Sequence, residues 1–256
     1  MENLIIYPFL TGLVYLLVIL LVRGFKWIKG LSTLDKLRLV QLVKSRLFLN
    51  SVSEAFNEGL LHRRIFRKNP VLGYMHMSLA FGWFLLIVVG HVEVMIAEKS
   101  LIVPIYKPVF FRYFEAGTGF QLAGVFAFVM DFLLLFTLSG LILAMAKRFR
   151  KKLFGLSRTT RLKSGDRIAL TALWLIFPLR LLAESSAAAL HGNGSFLTQT
   201  IGKLFENTFA PDMVSYSLWI SYSLALGFSL WHCQIHGICI FPQRFCISSY
   251  AMQELL

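Results

Sequence analysis

Long apolar runs alternate with polar, basic stretches along this chain, a pattern typical of helices that cross a membrane. A helix rises about 1.5 Å per residue, so about 20 apolar residues cross a hydrocarbon core of about 30 Å. Runs of this length occupy about residues 4–22, 71–94, 119–146, 168–190 and 213–230. The pattern therefore predicts an all-α integral membrane protein, folded as a five-transmembrane-helix bundle.

The stretches between the predicted spans differ sharply in charge. Residues 23–68 contain eleven Lys or Arg and residues 147–167 contain nine, whereas the other two connections contain three and one. Positively charged loops stay on the cytoplasmic side of a membrane. The sequence thus predicts the N-terminus outside, both basic loops inside and the C-terminus inside.

Two of the connections carry structure of their own. Residues 23–70 are too long for a plain linker, and their apolar residues recur at helical spacing, with Ser32 or Thr33 as a possible N-cap. We expect a basic amphipathic cytoplasmic loop, one helix or a pair, on the inner membrane surface. Residues 104–115 combine two prolines with aromatic residues and are predicted to be an interfacial or re-entrant segment on the outer face.

Composition agrees with a membrane protein and changes the interpretation of the net charge. Hydrophobic residues make up 57% of the chain, and the formal charge is +13. The basic residues concentrate in two inter-span loops, so membrane topology explains the charge and no nucleic-acid partner is expected. Residues 1–12 lack the basic region and cleavage site of a signal peptide, so the first span is predicted to be retained.

Histidines at both predicted membrane faces are candidate haem ligands. A b-type haem takes two neutral imidazoles that face each other from different helices. On depth alone, His91 and His191 suit an outer haem, and His76 suits an inner haem with a partner from the inner end of span five. His62 is a candidate ligand, a haem propionate partner or a surface residue. Each histidine also has a plainer interpretation as an interfacial polar residue.

Ionisable residues within the spans are costly to bury and therefore indicate function. Arg180 and Glu184 are four residues apart and can pair on one helix face, just after Pro178, which is expected to kink the helix and free a carbonyl. Arg180 is a candidate partner for a haem propionate, and Glu184 is a candidate for relaying a quinone proton. The alternative is an ion pair that only supports packing of the bundle. Asp131 is a candidate for proton transfer or for orienting a histidine. Glu93 is either an outer-face proton group or a rim residue.

Two long stretches resemble a known family. They are LLHRRIFRKNPVLGYMHMSLAFGWFLLIVVG, at residues 60–90, and ALTALWLIFPLRLLAES, at residues 169–185. Both resemble the N-terminal membrane domain of Bacteroidetes-type (Fe-S)-binding, heterodisulfide-reductase-like oxidoreductases, which is similar to the nitrate reductase gamma (cytochrome b) subunit. The resemblance ends at YSLALG, residues 222–227, and His76 lies within its best-matching part.

The resemblance implies that residues 1–230 are a cytochrome-b-like membrane domain of the bacterial inner (cytoplasmic) membrane. Such a module passes electrons between quinone in the bilayer and [4Fe-4S] clusters of a cytoplasmic domain or partner, with haem b as the relay. The alternatives are a haem-free membrane anchor that docks a soluble reductase, and a transporter. A transporter is disfavoured because one span alone holds an internal proline and no repeat is visible.

The tail, residues 231–256, departs from the family pattern. Its three cysteines, Cys233, Cys239 and Cys246, match neither iron–sulfur nor CxxC metal spacings. Family members continue after YSLALG with a short apolar run and then Ala-Leu-Pro-Phe-Ser-Arg-Tyr-Met-His-Ile-Pro-Thr-Glu. Suppose that the reading frame is shifted so that it begins at the last base of the Trp231 codon. Codons that encode the residues as written can then also encode twelve of these thirteen family residues.

We therefore expect a frame shift near residues 227–231; the alternative is a divergent natural tail. A frame shift would make His232 and His236 accidental. It would also remove the inner histidine partner of His76 and the iron–sulfur domain.

Overall fold

The computed structural model describes residues 2–44, 46–114, 119–154, 164–206 and 210–236, which form α-helices and contain no strand. After a 3₁₀ turn at Glu2–Ile5, the helices are α1 Ile6–Gly30, α2 Thr33–Lys44, α3 Arg46–Gly59, α4 Arg63–Lys68, α5 Pro70–Glu98, α6 Lys107–Phe114, α7 Ala123–Leu153, α8 Ser164–His191, α9 Thr198–Gly202 and α10 Pro211–His236. Helices α1, α5, α7, α8 and α10 are long and apolar enough to cross a membrane. The all-α fold with five candidate spans is therefore confirmed, and the orientation of the termini stays a prediction.

The helices run past the predicted ends of several spans. Helix α1 continues to Gly30 rather than ending near residue 22, because lysine and arginine are good helix formers even where the chain becomes polar. Helix α7 begins at Ala123, four residues after the predicted start, and extends to Leu153. The apolar run in the sequence therefore gives the apolar part of each helix, and the helix itself can be longer.

Alternating span directions place the connections at two opposite ends of the bundle. The end with the two Lys- and Arg-rich stretches, called here the basic end, carries α2, α3, α4, the end of α7 and the start of α8. The opposite end, called the far end, carries the start of α1 together with α6 and α9. Phe9 of α1 and Phe110 of α6 make an edge-to-face ring contact there, with centroids 5.8 Å apart.

Small residues bring the spans together. Helix α5 packs mainly against α7, and α10 packs against both α8 and α1. The backbones of α1 and α10 touch at Gly12 and Gly227, where a β-carbon on either glycine would meet the backbone of the other helix. Ser78 of α5 similarly sits against Gly140 of α7. Close contact of this kind drives helix association in lipid, where hydrophobic burial contributes little.

Local capping signals set the helix starts at the basic end. The Asn69 side chain accepts a hydrogen bond from the Leu72 amide, and Pro70 occupies the first turn of α5, where its missing N–H costs nothing. Ser32 accepts a hydrogen bond from the Asp35 amide at the start of α2, as the sequence suggests. Helix α8 is continuous through Pro178, and the kink expected there stays a prediction.

The connections fold into short helices that pack on the bundle. Helices α2 and α3 occupy the stretch where the sequence predicts an amphipathic helix or pair. The Phe56 ring of α3 contacts those of Phe81 and Phe84 on α5, so part of its apolar side faces a span. The aromatic segment at the far end forms α6, whose Phe110 and Phe111 are buried.

The hypothesis of a frame shift falls largely outside the described residues. Helix α10 ends at His236, and residues 237–256, with Cys239 and Cys246, are not described.

Candidate functional site

Arg180 and Glu184 of α8 form a buried ion pair, as their spacing predicts. The Arg180 Nε donates to the Glu184 Oε1 across 2.8 Å, and each residue is 5% exposed. One helix turn separates the residues, so the geometry comes from α8 alone. Two charges this far from water are stable only when paired and hydrogen-bonded, so removing either one would strand the other.

An aromatic wall from other helices encloses this pair. The Tyr222 side chain of α10 interacts electrostatically with Arg180. The Tyr222 ring contacts those of Trp219 and Phe110, at centroid distances of 5.9 and 6.1 Å. Among the described residues, the buried indole N–H of Trp219 has no acceptor, so the wall contains one unused hydrogen-bond donor.

Glu93 and Arg112 form a second buried ion pair at the far end. The Arg112 Nη2 donates to the Glu93 Oε1 across 2.7 Å, with 10% and 3% of the two side chains exposed. Glu93 is therefore part of the interior and not a rim residue. The pair joins α6 to α5, and it places an arginine from a loop helix inside the bundle.

Arg112 also joins α6 to the segment after α8 by hydrogen bonds. Its Nη1 donates to the Asn193 carbonyl, and the Asn193 side chain donates back to the Arg112 carbonyl across 3.2 Å. Sequence reasoning missed Arg112, counting it only as a loop charge. The available signal was a single arginine inside an aromatic, proline-flanked segment, where a purely interfacial helix would place charges on an exposed face.

Asp131 of α7 holds the start of α9. Its Oδ2 accepts hydrogen bonds from the Leu197 and Thr198 amides at 2.9 and 3.0 Å, and its Oδ1 accepts one from the Thr198 hydroxyl at 2.9 Å. Asp131 is 2% exposed. These partners are neutral, and no guanidinium of the described residues forms an ion pair with this carboxyl group. Its predicted role in proton transfer, or in orienting a histidine, stays a prediction.

We call the buried ionisable groups of the described interior the far-end charge cluster: Glu93, Arg112, Asp131, Arg180 and Glu184. Glu184 interacts electrostatically with both Glu93 and Asp131, and Arg180 also acts on Glu93. The cluster thus contains three carboxyl groups and two guanidinium groups, with one carboxyl group paired to each guanidinium and Asp131 held by neutral donors. Chemically, the surplus carboxyl group of Asp131 can take up or release a proton without breaking either ion pair.

His62 and His76 lie together at the basic end. Their rings stack at a centroid distance of 5.2 Å, with planes 19° apart. His62 precedes α4 in a left-handed conformation, with φ of 50°, and its Nδ1 lies 3.3 Å from the Leu60 carbonyl. His76 is exposed on the first turns of α5.

The other two candidate histidines lie at the far end. His91 is half-buried on α5, and His191 is exposed at the last residue of α8. No hydrogen bond or ring contact joins these two described side chains. Their role as outer haem ligands stays a prediction.

The stacked arrangement of His62 and His76 differs from that of two imidazoles that bind one haem iron. Axial imidazoles direct their ring nitrogens at the iron from opposite sides, whereas His62 and His76 lie face to face. Within the described residues no group of three or more His, Cys, Asp or Glu is placed to hold a metal ion. His76 stays a candidate for one ligand of a pair.

Comparison with known proteins finds no match: no protein-family model, curated protein or solved structure corresponds to this chain.

Proposed function

We propose that this chain is the membrane module of an electron-transfer oxidoreductase in a bacterial inner membrane. It exchanges electrons and protons with a quinone in the bilayer. It exchanges electrons with an iron–sulfur domain or subunit at the basic end. The observation that carries the proposal is the far-end charge cluster, because ionisable groups inside a membrane bundle are expensive and are retained for function.

Quinone chemistry needs the groups that this cluster offers. Oxidation of a quinol releases two electrons and two protons, and reduction of a quinone takes up the same number. Glu184 and Glu93 supply carboxyl groups that accept or return the protons, each beside an arginine that stabilises the ionised form. Tyr222 and the Trp219 indole N–H supply hydrogen-bonding groups for a quinone oxygen.

A haem b would supply the one-electron step between the quinone and the basic end. His76 is the candidate axial ligand. Because His62 stacks on it, we expect the second ligand from the inner end of span five or from a partner subunit. The histidine of the shifted reading frame in the tail is one such source.

Resequencing the source DNA from codon 220 onwards is the first test. A shifted frame that continues into cysteine runs would support a fused haem b and iron–sulfur oxidoreductase. Two versions of the chain should then be purified, one with the tail as written and one with the tail of the shifted frame. Only the shifted tail should give a red, dithionite-reducible spectrum with haem b bands, and His76→Ala should abolish that spectrum.

A haem-free membrane anchor that docks a soluble reductase is the second candidate. The stacking of His62 on His76 favours it, since the two rings lie face to face rather than on opposite sides of an iron position. A colourless protein from both tails, still able to bind a soluble iron–sulfur partner, would favour the anchor over the haem module. A transporter is less well supported, because the five candidate spans are continuous in the described residues.

A further inference from the structure

A polar groove of about 360 Å³ lies between α3 and α4 at the basic end. Asn50, Ser53 and Asn57 of α3 line one side, at the spacing that places residues on one helix face. Arg63 and Arg67 of α4 line the other side, one helix turn apart. The groove is independent of the far-end charge cluster, which lies at the opposite end of the bundle.

The described residues of the groove carry a net positive charge, with three arginines against two glutamates. Its two acidic residues, Glu54 and Glu58, both pair with Arg64, at 2.8 and 3.5 Å. Arg63 and Arg67 are exposed and form no ion pair with any described residue. Two free guanidinium groups one helix turn apart are suited to a phosphate group, because each offers several donors in a planar fork.

The surroundings of the groove indicate where the phosphate comes from. Helix α4 lies directly on the first turn of α5, where a β-carbon on Gly73 would meet the backbone of Phe66. Apolar side chains project from the same two helices, with Leu49 67%, Val52 45% and Phe66 39% exposed. A phosphate that brings its own acyl chains would cover these residues, whereas a free phosphate would leave them in water.

We infer that the groove between α3 and α4 binds the headgroup of an anionic phospholipid such as phosphatidylglycerol. Arg63 and Arg67 bind the phosphate. Asn50, Ser53 and Asn57 hydrogen-bond the glycerol hydroxyls. The acyl chains lie over the apolar residues of α3 and α4 and along α5. The bound lipid thereby fixes the amphipathic loop against the bundle.

The test is native mass spectrometry of the full chain in detergent, titrated with phosphatidylglycerol, phosphatidylcholine or inorganic phosphate. Arg63→Gln/Arg67→Gln should weaken phosphatidylglycerol binding about thirtyfold, at about 1 kcal/mol for each arginine near a lipid surface. Lys26→Gln/Lys29→Gln removes the same charge from exposed positions on α1 and should leave binding unchanged. Arg63→Lys/Arg67→Lys keeps the charge but removes the planar fork, and it should weaken binding less than the glutamine change does.

A second variant keeps the test valid if the double arginine change impairs folding. Asn57→Leu fills the groove without altering its charge, and it should also weaken phosphatidylglycerol binding.

Three outcomes would overturn the inference. The first is equal binding of phosphatidylglycerol by every variant, which indicates non-specific adhesion. The second is phosphatidylcholine binding as tightly as phosphatidylglycerol. The third is inorganic phosphate competing fully at equal concentration, which makes the groove a site for free phosphate. None of these readouts depends on electron transfer, so the lipid site and the proposed function stand or fall separately.

Discussion

The guanidinium of Arg112 donates to the Glu93 carboxylate across 2.7 Å, inside the far end of the bundle. These residues are 19 positions apart in the chain, on α5 and on the short helix α6. Through this contact the short helix α6 places a side chain in the interior of the bundle. It also brings the Asn193 segment within reach, since the same guanidinium donates to the Asn193 carbonyl.

Breaking this pair on one side should be costly. Arg112→Gln or Glu93→Gln leaves the other charge buried, and each should destabilise the protein by about 3 kcal/mol or more. Arg112→Met combined with Glu93→Leu removes both charges and should cost clearly less than the sum of the single changes. Unfolding of the detergent-solubilised chain by SDS would measure the loss of stability in the single and double variants. Additive losses would show that the two residues do not interact in the protein.

The second prediction concerns the proposed chemistry. Glu184→Gln keeps the size and a hydrogen-bond acceptor for Arg180 but removes the proton-accepting group. If Glu184 exchanges protons with a quinone, the rate of quinol oxidation by the complete oxidoreductase should fall about 10²-fold or more. Stopped-flow measurement with a soluble quinol analogue would give this rate.

The matched control for Glu184 is Glu98→Gln. Glu98 also lies at the far end, but it pairs with Lys107 and is partly exposed, away from the buried cluster. Its substitution should leave the rate unchanged. A normal rate in Glu184→Gln, with the protein folded, would limit the Arg180–Glu184 pair to a packing role.

The sequence predicted contacts that lie within one helix and missed those that depend on loops. The Arg180–Glu184 pair was predictable because a helix places residues four apart on one face. The partners of Asp131 and Arg112 were not, since each contact spans a connection whose path no periodicity describes. Asp131, for example, reaches residues more than 60 positions away in the chain.

The candidate histidines show the same limit. Depth along the spans correctly placed His76 toward the basic end, and it placed His91 and His191 at the other. Whether two rings face each other depends on turns, however. The left-handed conformation at His62 turns its ring onto that of His76, and no apolar pattern records that conformation. The five spans were predictable because length and hydropathy alone define them.

The third prediction separates two roles for Asp131. Asp131→Ala removes the acceptor for the Leu197 and Thr198 amides, so these amides should exchange hydrogen faster in mass-spectrometric exchange experiments. Thr198→Val keeps both amide bonds, and the exchange should change much less. Unchanged exchange in Asp131→Ala would show that Asp131 does not hold α9, which would favour its predicted part in proton transfer.

The fourth prediction tests how α1 joins the bundle. A β-carbon on Gly12 would collide with the backbone of Gly227, which cannot rotate away as a side chain can. Gly12→Val should therefore separate α1 from α10 and lower the SDS concentration at which the chain unfolds. Gly24→Val is the matched control, because no heavy atom lies within 4 Å of a β-carbon there. If both variants unfold alike, the glycine contact does not determine the packing of α1, and its apolar surface alone holds it in the membrane.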